Sequence, residues 1–442
     1  MNRYDRYKDS GIPWLGEVPE HWEIKHSNQI FKIHNGATPK TSEPDYWGDE
    51  IAWFTPKDLG DNKNKEIAAS LKMITKEGYE NCGVSLAPAK SIALSKRAPI
   101  GHLAITLLPA VVNQGCFLLE VLSPNDVNYL YYWLYANKST LNSFGQGSTF
   151  MELPREKFAM LKISIPSEKE QTAIADYLDT KLGEIDALIG KQQTLLEKLA
   201  EQRTAVITHA VTKGLNPAAP MKNSGVEWLG DVPTHWDVKR LKNSINCSKN
   251  GIWGDEEKFD ENDMYCLRVA DFNRTNFTIS ETNLTIRNIN SKDYENRKLK
   301  KGDLLLEKSG GGDKQPVGFV VLNTVARKSV CSNFIAQLKL AENMNAQFWV
   351  YFHQFLYSLR INVRSIKQST GIQNLDETLY FNELACYPPF KEQTAIADYL
   401  DQETAKIDRL CDTVNQTIGR LKEYRTALIT QAVTGKIKVT DE

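Results

Sequence analysis

Two blocks of this chain occur twice, in the same order, and that duplication restricts the fold more than any other feature of its 442 residues. Ser10 to Lys25 reads SGIPWLGEVPEHWEIK and returns 214 positions later (224 − 10) as SGVEWLGDVPTHWDVK. Lys169 to Asp179 reads KEQTAIADYLD and returns letter for letter 222 positions later (391 − 169). The unequal offsets mean that the segments between the blocks differ in length, and their sequences scarcely resemble each other. A period above 200 residues is too long for a solenoid unit, so the repeat is a duplicated module of one globular domain plus one helix.

The helical part carries its own pattern. From Leu178 onward, Leu182, Ile185, Ile189, Gln192, Leu196, Leu199, Arg203, Val206 and Ala210 alternate steps of four and three, the spacing of a heptad seam. The second copy gives Leu400, Thr404, Ile407, Cys411, Val414, Ile418, Leu421, Arg425, Leu428 and Ala432 in the same register. Pro166 and Pro388-Pro389 break what precedes, and Glu170 and Glu392 place negative charge near each amino end. Roughly 40 residues at about 1.5 Å each would reach about 60 Å. Two ordinary core helices are the plainer reading, but helices of that length seldom fit inside a domain of this size. An antiparallel coiled coil is expected instead, with Leu178, Ile185, Leu196, Leu199, Leu400, Ile407, Ile418 and Leu421 in its seam or at the docking face of a partner.

Between the blocks the pattern changes to short β-type runs separated by Gly, Pro, Asn and Asp. Strands are expected at 51–54, 91–94, 110–112 and 116–121, then a helix at 127–137. The other segment shows the same order, with strands near 265–269, 303–307, 318–322 and 334–338 and a helix at 346–361. The expected fold class is α+β: two related α/β domains separated by two long helices, duplicated about a pseudo-twofold. The division is a first globular domain with its Trp/Pro opening at 1–168, a central long helix at 169–215, and a linker at 216–223. A second globular domain with the repeated opening follows at 224–390, then a C-terminal long helix and tail at 391–442.

Composition limits what such a module can do. Net charge is −1, so a nucleic-acid surface must be a local patch. No run reaches the roughly 18 apolar residues of a membrane span and the start lacks a signal pattern, so a cytoplasmic protein with no membrane contact is expected. Seven cysteines, widely spaced and without a Cys-x-x-Cys pair, read as reduced and mostly buried thiols. No histidine or cysteine cluster has zinc-ligand spacing, so no metal is expected.

Candidate DNA contacts lie in loops that combine flexible backbone with hydroxyl, amide and cationic side chains, the chemistry that phosphate positioning and base reading require. In the first domain these are Thr38, Lys40, Lys57, Lys96, Arg97, Gln146, Ser148 and Thr149. In the second they are Arg268, Lys308, Ser309, Lys314, Gln315, Lys367, Gln368 and Ser369. The pair Ser148-Thr149 precedes Lys169 by 21 residues and Ser369-Thr370 precedes Lys391 by 22, so this feature recurs; a shared turn before the last strand explains it equally well.

Catalytic motifs fail on inspection. Tyr387-Pro388-Pro389-Phe390 resembles the tetrad with which adenine-N6 methyltransferases grip a base, but Tyr387 stands where Asn, Asp or Ser must accept a hydrogen bond. The repeat aligns it with Ile165-Pro166-Ser167-Glu168, a strand-to-helix junction. Gly310-Gly311-Gly312-Asp313-Lys314 lacks P-loop spacing. His21 and His235, beside Trp22 and Trp236, suit buried packing or hydrogen bonding. No catalytic residue is assigned.

The chain as a whole resembles the specificity subunit of type I restriction-modification systems. The resemblance rests on Trp14 to Trp22 and Trp228 to Trp236, Gly36-Ala37-Thr38-Pro39, Asp45-Tyr46-Trp47-Gly48, Trp53 to Leu59, and the Glu-Gln-x-x-Ile-Ala-x-Tyr-Leu-Asp helices. It implies a non-catalytic subunit whose two target-recognition domains read a bipartite site in double-stranded DNA, with the helices setting the gap. It also implies two modification (methyltransferase) subunits and restriction (translocase/nuclease) subunits as partners. S-adenosylmethionine, ATP and Mg are then expected on the partners and no cofactor on this chain. The second domain departs from the Gly-x-Thr-Pro opening, with Asn250-Gly251-Ile252-Trp253-Gly254. The competing reading is a coiled-coil protein scaffold that does not read DNA.

Overall fold

The computed structural model describes residues 3–147, 151–369 and 371–439. The protein is α+β, and its contacts group into two compact units: Met1–Gln192 with Asn415–Glu442, and Gln193–Val414. Two long helices, Glu168–Lys213 and Phe390–Val433, each begin in one unit and end in the other.

In the first unit a five-stranded sheet runs Phe31–Asn35, Cys116–Val121, Ile92–Ser95, Leu103–Thr106, Glu66–Ile67, antiparallel except for the last pairing. A second sheet runs Ala110–Val112, Ile51–Phe54, Met73–Ile74, Trp47–Gly48. Ile92–Ser95 and Leu103–Thr106 are buried at every position, as strands covered on both faces must be. Helix Val127–Ala136 starts at Asp126, whose carboxylate accepts the Tyr129 N–H, and buries Tyr129, Leu130 and Trp133.

The second unit repeats this plan with different residues. Its six-stranded sheet runs Ile245–Asn250, Ile335–Leu340, Leu304–Glu307, Val320–Leu322, Thr278–Ile279, Phe272–Asn273, and a three-stranded sheet joins Thr285–Asn288, Asp263–Leu267 and Ser329–Cys331. Helix Ala346–Ser358 is capped by Asn345 as its counterpart is by Asp126. The strands expected at 51–54, 110–112 and 116–121 form there, and the other five are displaced by one or two residues. The helix expected to reach 361 stops at Ser358, because Arg360 adopts a left-handed φ of 57° and Ile361–Ser365 tighten into a 3-10 turn. A further sheet was not foreseen: Ile366–Ser369 and Ile372–Leu375 form a hairpin flanked by Ser309–Gly310. Met221–Asn223, in the stretch assigned to the linker, pairs with Asp231–Pro233 just as Tyr7–Asp9 pairs with Glu17–Pro19.

The two repeated blocks touch within each unit, which explains why they recur together. Trp22 Nε1–H donates to Glu170 Oε1 at 3.1 Å, and His21 Nε2 lies 3.0 Å from Glu170 Oε2. Trp236 and His235 make the same contacts with Glu392 at 2.8 and 2.7 Å. Both histidines hydrogen-bond but stay about half exposed rather than buried. The next residue repeats too: Gln171 accepts the Asp126 N–H and donates to Pro166, while Gln393 accepts the Asn345 N–H and donates to Pro388. Asp179 accepts the Tyr132 hydroxyl and Asp401 the Tyr351 hydroxyl. Tyr387-Pro388-Pro389-Phe390 is a junction, with strand Leu384–Tyr387 before the prolines and the helix starting at Phe390.

Along the helices, early residues of one meet late residues of the other, so they pack antiparallel. In the first unit Leu178 and Ile185 share a core with Leu428 and Ala432. Ile418 is also buried and Leu421 half-buried. In the second unit Leu400 packs with Ile207 and Ala210, Leu199 and Ile407 are buried, and Leu196 is half-buried. The two arginines that interrupt the seam each reach an aspartate of the other helix, Arg425 to Asp186 at 3.1 Å and Arg203 to Asp408. The members of these pairs interchange under the 222-residue offset.

Candidate nucleic-acid interface

Sheet topology brings several strand ends to one edge in each unit. Cys116–Val121 runs antiparallel to both Phe31–Asn35 and Ile92–Ser95, so the residues before it adjoin those following its neighbours. Backbone hydrogen bonds complete this rim. Ala37 N–H donates to Val112 O (3.1 Å), Asn113 to Phe54 (2.9 Å), Lys96 to Gly115 (2.8 Å) and Leu153 to Lys96 (2.7 Å). In the second unit Ile252 donates to Cys331 (2.7 Å), Ser332 to Leu267 (2.8 Å), Lys308 to Phe334 (2.9 Å) and Leu375 to Lys308 (2.8 Å). Gly36 and Gly251 occupy the same crowded point, where a Cβ would lie 1.9 Å from Asn113 O and 2.1 Å from Ser332 O.

This common ladder aligns positions that sequence comparison does not. Thr38 corresponds to Trp253, Thr55 to Arg268, Lys96 to Lys308, Arg97 to Ser309, Gln114 to Asn333, Gly115 to Phe334, and Glu152 to Asn374. At the Thr55/Arg268 position both backbone N–H groups are held by an aspartate three residues on, Asp58 (2.8 Å) and Asp271 (2.7 Å).

Of the first-domain candidates, the rim gathers Thr38, Lys96, Arg97 and Gln146. Thr38 donates to Gln114, Lys96 Nζ and Arg97 Nε each lie 2.9 Å from Glu152, and exposed Gln146 pairs by its backbone with Glu152. Lys40 and Lys57 are exposed and form no ion pair among the described residues. Ser148 and Thr149 lie outside the described residues. In the second domain Arg268 pairs with Asp271 (3.0 Å), Lys308 Nζ donates to Asn250 (2.5 Å), and Ser309 Oγ to Asn374 (2.6 Å). Lys367 Nζ lies 2.6 Å from Asp376, and Gln368 and Ser369 follow on the same strand. Lys314 and Gln315 are exposed on the loop after Gly312, and no side-chain hydrogen bond ties them to the rim among the described residues.

Sequence reasoning missed Glu152, Asp271, Trp253 and Phe334, although the aspartate three residues beyond a strand end was a readable signal for a cap. Burial pushes the Cys266 and Cys331 thiols near the rim up to about 12 and Cys116 higher still, so these thiols stay protonated. Among the described residues no group of three or more His, Cys, Asp or Glu side chains is placed to hold a metal, and no helix is long and apolar enough to cross a membrane. The rim can present donors, acceptors and charge to a polymer.

Residues 19–198 match the family described as "Type I restriction modification DNA specificity domain". The chain is similar to the type I restriction enzyme MjaIX specificity subunit of Methanocaldococcus jannaschii, 27% identical over 97% of this chain and 96% of that one. It is also similar to the StySPI specificity subunit of Salmonella potsdam, 23% identical over 96% and 90%. A chain solved in work on complex assembly and conformational transition of the type I R-M system shares the fold, with a TM-score of 0.71 at 13% identity, over 95% of this chain and 99% of that one. Along nearly its whole length the chain is thus similar to type I restriction enzyme specificity subunits, and residues 19–198 carry the match to the DNA specificity domain.

Proposed function

We propose that each unit reads one half of a bipartite double-stranded DNA target through its rim, and that the long helices set the gap between the halves. The observation that carries this reading is the pair of equivalent rims, one backbone ladder bearing different side chains: Thr38 against Trp253, Arg97 against Ser309, Gly115 against Phe334. A scaffold with no sequence to read gives no reason for a fixed frame with exchanged contacts. Phosphate contacts position such a protein and side chains at base edges specify.

The helix starts support a second part of the proposal, two copies of one modification subunit as partners, with restriction subunits joining them. Within KEQTAIADYLD the buried letters and the Glu, Gln and final Asp are accounted for by contacts inside the unit. Lys169, Ala173 and Asp176, like Lys391, Ala395 and Asp398, face outward wholly or in part, and are identical without such a reason. Two identical faces suit two identical partners, on which S-adenosylmethionine, ATP and Mg would reside.

The test is selection of bound duplexes from a randomised pool by the full chain, alone and with its modification subunits. Two short conserved stretches at a set separation are expected. Recovery of unrelated sequences would leave the scaffold reading in place.

A further inference from the structure

In the second unit the rim opens into a cleft of about 480 Å3 that Trp253 and Phe334 flank and Arg268, Glu307 and Ser309 help to line. The first unit carries Thr38 and Gly115 at the flanking positions. Trp253 and Phe334 are 39% and 45% exposed, yet Trp253 is held in place by the Arg287 guanidinium, 4.6 Å from its ring centroid. Arg268 is the cation at this cleft whose geometry is set by a buried acid. Asp271, whose side chain is 4% exposed, takes Nε (3.4 Å) and Nη2 (3.0 Å), the side-on edge of the guanidinium. That leaves one Nη1 donor and the second Nη2 donor on the end-on edge, with 38% of the side chain exposed. A fork oriented by one carboxylate presents its free edge with little further loss of side-chain freedom. The edge matches the O6 and N7 acceptors that guanine displays in the major groove. Glu307 does not compete for it, because its carboxylate is already taken by Arg274 at 2.6 Å.

We propose that Arg268 reads a guanine in the half-site of the second unit, with Asp271 as its positioning residue and Trp253 and Phe334 as apolar walls that keep water from the contact. The proposal rests on the DNA-reading function above. The first unit cannot make this contact, since Thr55 occupies the position and spends its hydroxyl on Asp58.

The decisive variant is R268T, which installs the residue that already forms this cap in the first unit, so the turn has a precedent. R268Q is the companion, because a glutamine amide suits adenine N6 and N7. Duplex selection with the full chain should show one guanine in one half-site. In R268T that position should lose about 10- to 100-fold of its discrimination while the other half-site is unchanged. In R268Q the preference should move toward adenine. D271N should blunt the same position while duplex binding overall persists. If R268T instead weakens all duplexes alike and lowers the salt slope by about one, Arg268 is a phosphate contact and the proposal falls. An unchanged base preference in R268T overturns it as well. A wild-type chain that selects no sequence overturns this proposal together with the reading of function on which it rests, whereas a selective wild type with an unaltered variant overturns this one alone.

Discussion

Arg97 and Glu152 in the first rim occupy the two positions that Ser309 and Asn374 occupy in the second, yet one pair is charged and the other neutral. Beneath them the same backbone N–H groups donate to the same carbonyls, and Gly36 and Gly251 permit the same close approach. At this edge the two units differ in the side chains that project beyond the ladder. The separation allows contact chemistry to change without reopening the fold, since rim residues contribute little core and the frame contributes nearly all of it.

The comparison breaks most visibly if the frames prove unequal. Trp22 and Trp236 are both fully buried and both donate to the glutamate of a repeated helix. Replacing either with Ala leaves a large cavity and removes a hydrogen bond to the helix glutamate, although Glu170 Oε1 keeps the Tyr4 hydroxyl. W22A and W236A are each expected to destabilise their own unit by about 3–5 kcal/mol. Urea unfolding followed by hydrogen exchange, which assigns the loss to a unit, provides the check. A cost for one variant less than half that of the other would mean that the repeated latch does not carry equal weight in the two units.

The frame was legible because its chemistry repeats as letters: the blocks, the heptads and the arginines at 203 and 425 stand out without any structure. The rim was not. Thr55 and Arg268, or Gly115 and Phe334, have nothing in common as side chains and become equivalent only through the carbonyls and N–H groups around them. Loop cations were likewise visible individually, but their partners were not. Lys96 and Arg97 meet Glu152 some 55 positions away in sequence, a closure that only the sheet edge determines. The hairpin at 366–375 escaped for a similar reason, since its Lys, Gln, Ser and Asn residues give no apolar alternation.

A subtler difference lies in the helices after the last strands of the large sheets. Counting from the caps Asp126 and Asn345, Leu134 in the first unit stands where the second has His353, and both are fully buried. Burial alone drives the His353 pKa down to about 3, with the Tyr380 hydroxyl 2.8 Å from Nδ1. The folded value lies below the unfolded one. Stability is therefore intact above about pH 6.5 and is lost as pH falls toward 3. Between pH 7 and pH 5 this one residue should cost the second unit about 2 kcal/mol. H353L, which copies the first unit, should flatten that part of the pH dependence in urea unfolding. Equal slopes for wild type and H353L would show that His353 does not set the acid sensitivity of this unit.

The smallest energetic effect concerns the rim pair itself and probes the separation of frame from contact. Side chains of Arg97 and Glu152 are 45% and 36% exposed, so solvent screening holds their pairing to under about 1 kcal/mol. The double variant R97S/E152N imports the pair of the second unit onto a backbone that already supports it. Its unfolding free energy should stay within about 1 kcal/mol of wild type, while duplex selection changes at the first half-site only. Lys96, released from Glu152 but with its ammonium still 4.9 Å from the Phe117 ring centroid, keeps its place in the variant. A stability loss of several kcal/mol would place this pair in the frame rather than among the contacts. Altered selection at both half-sites would mean that the two rims do not read independently.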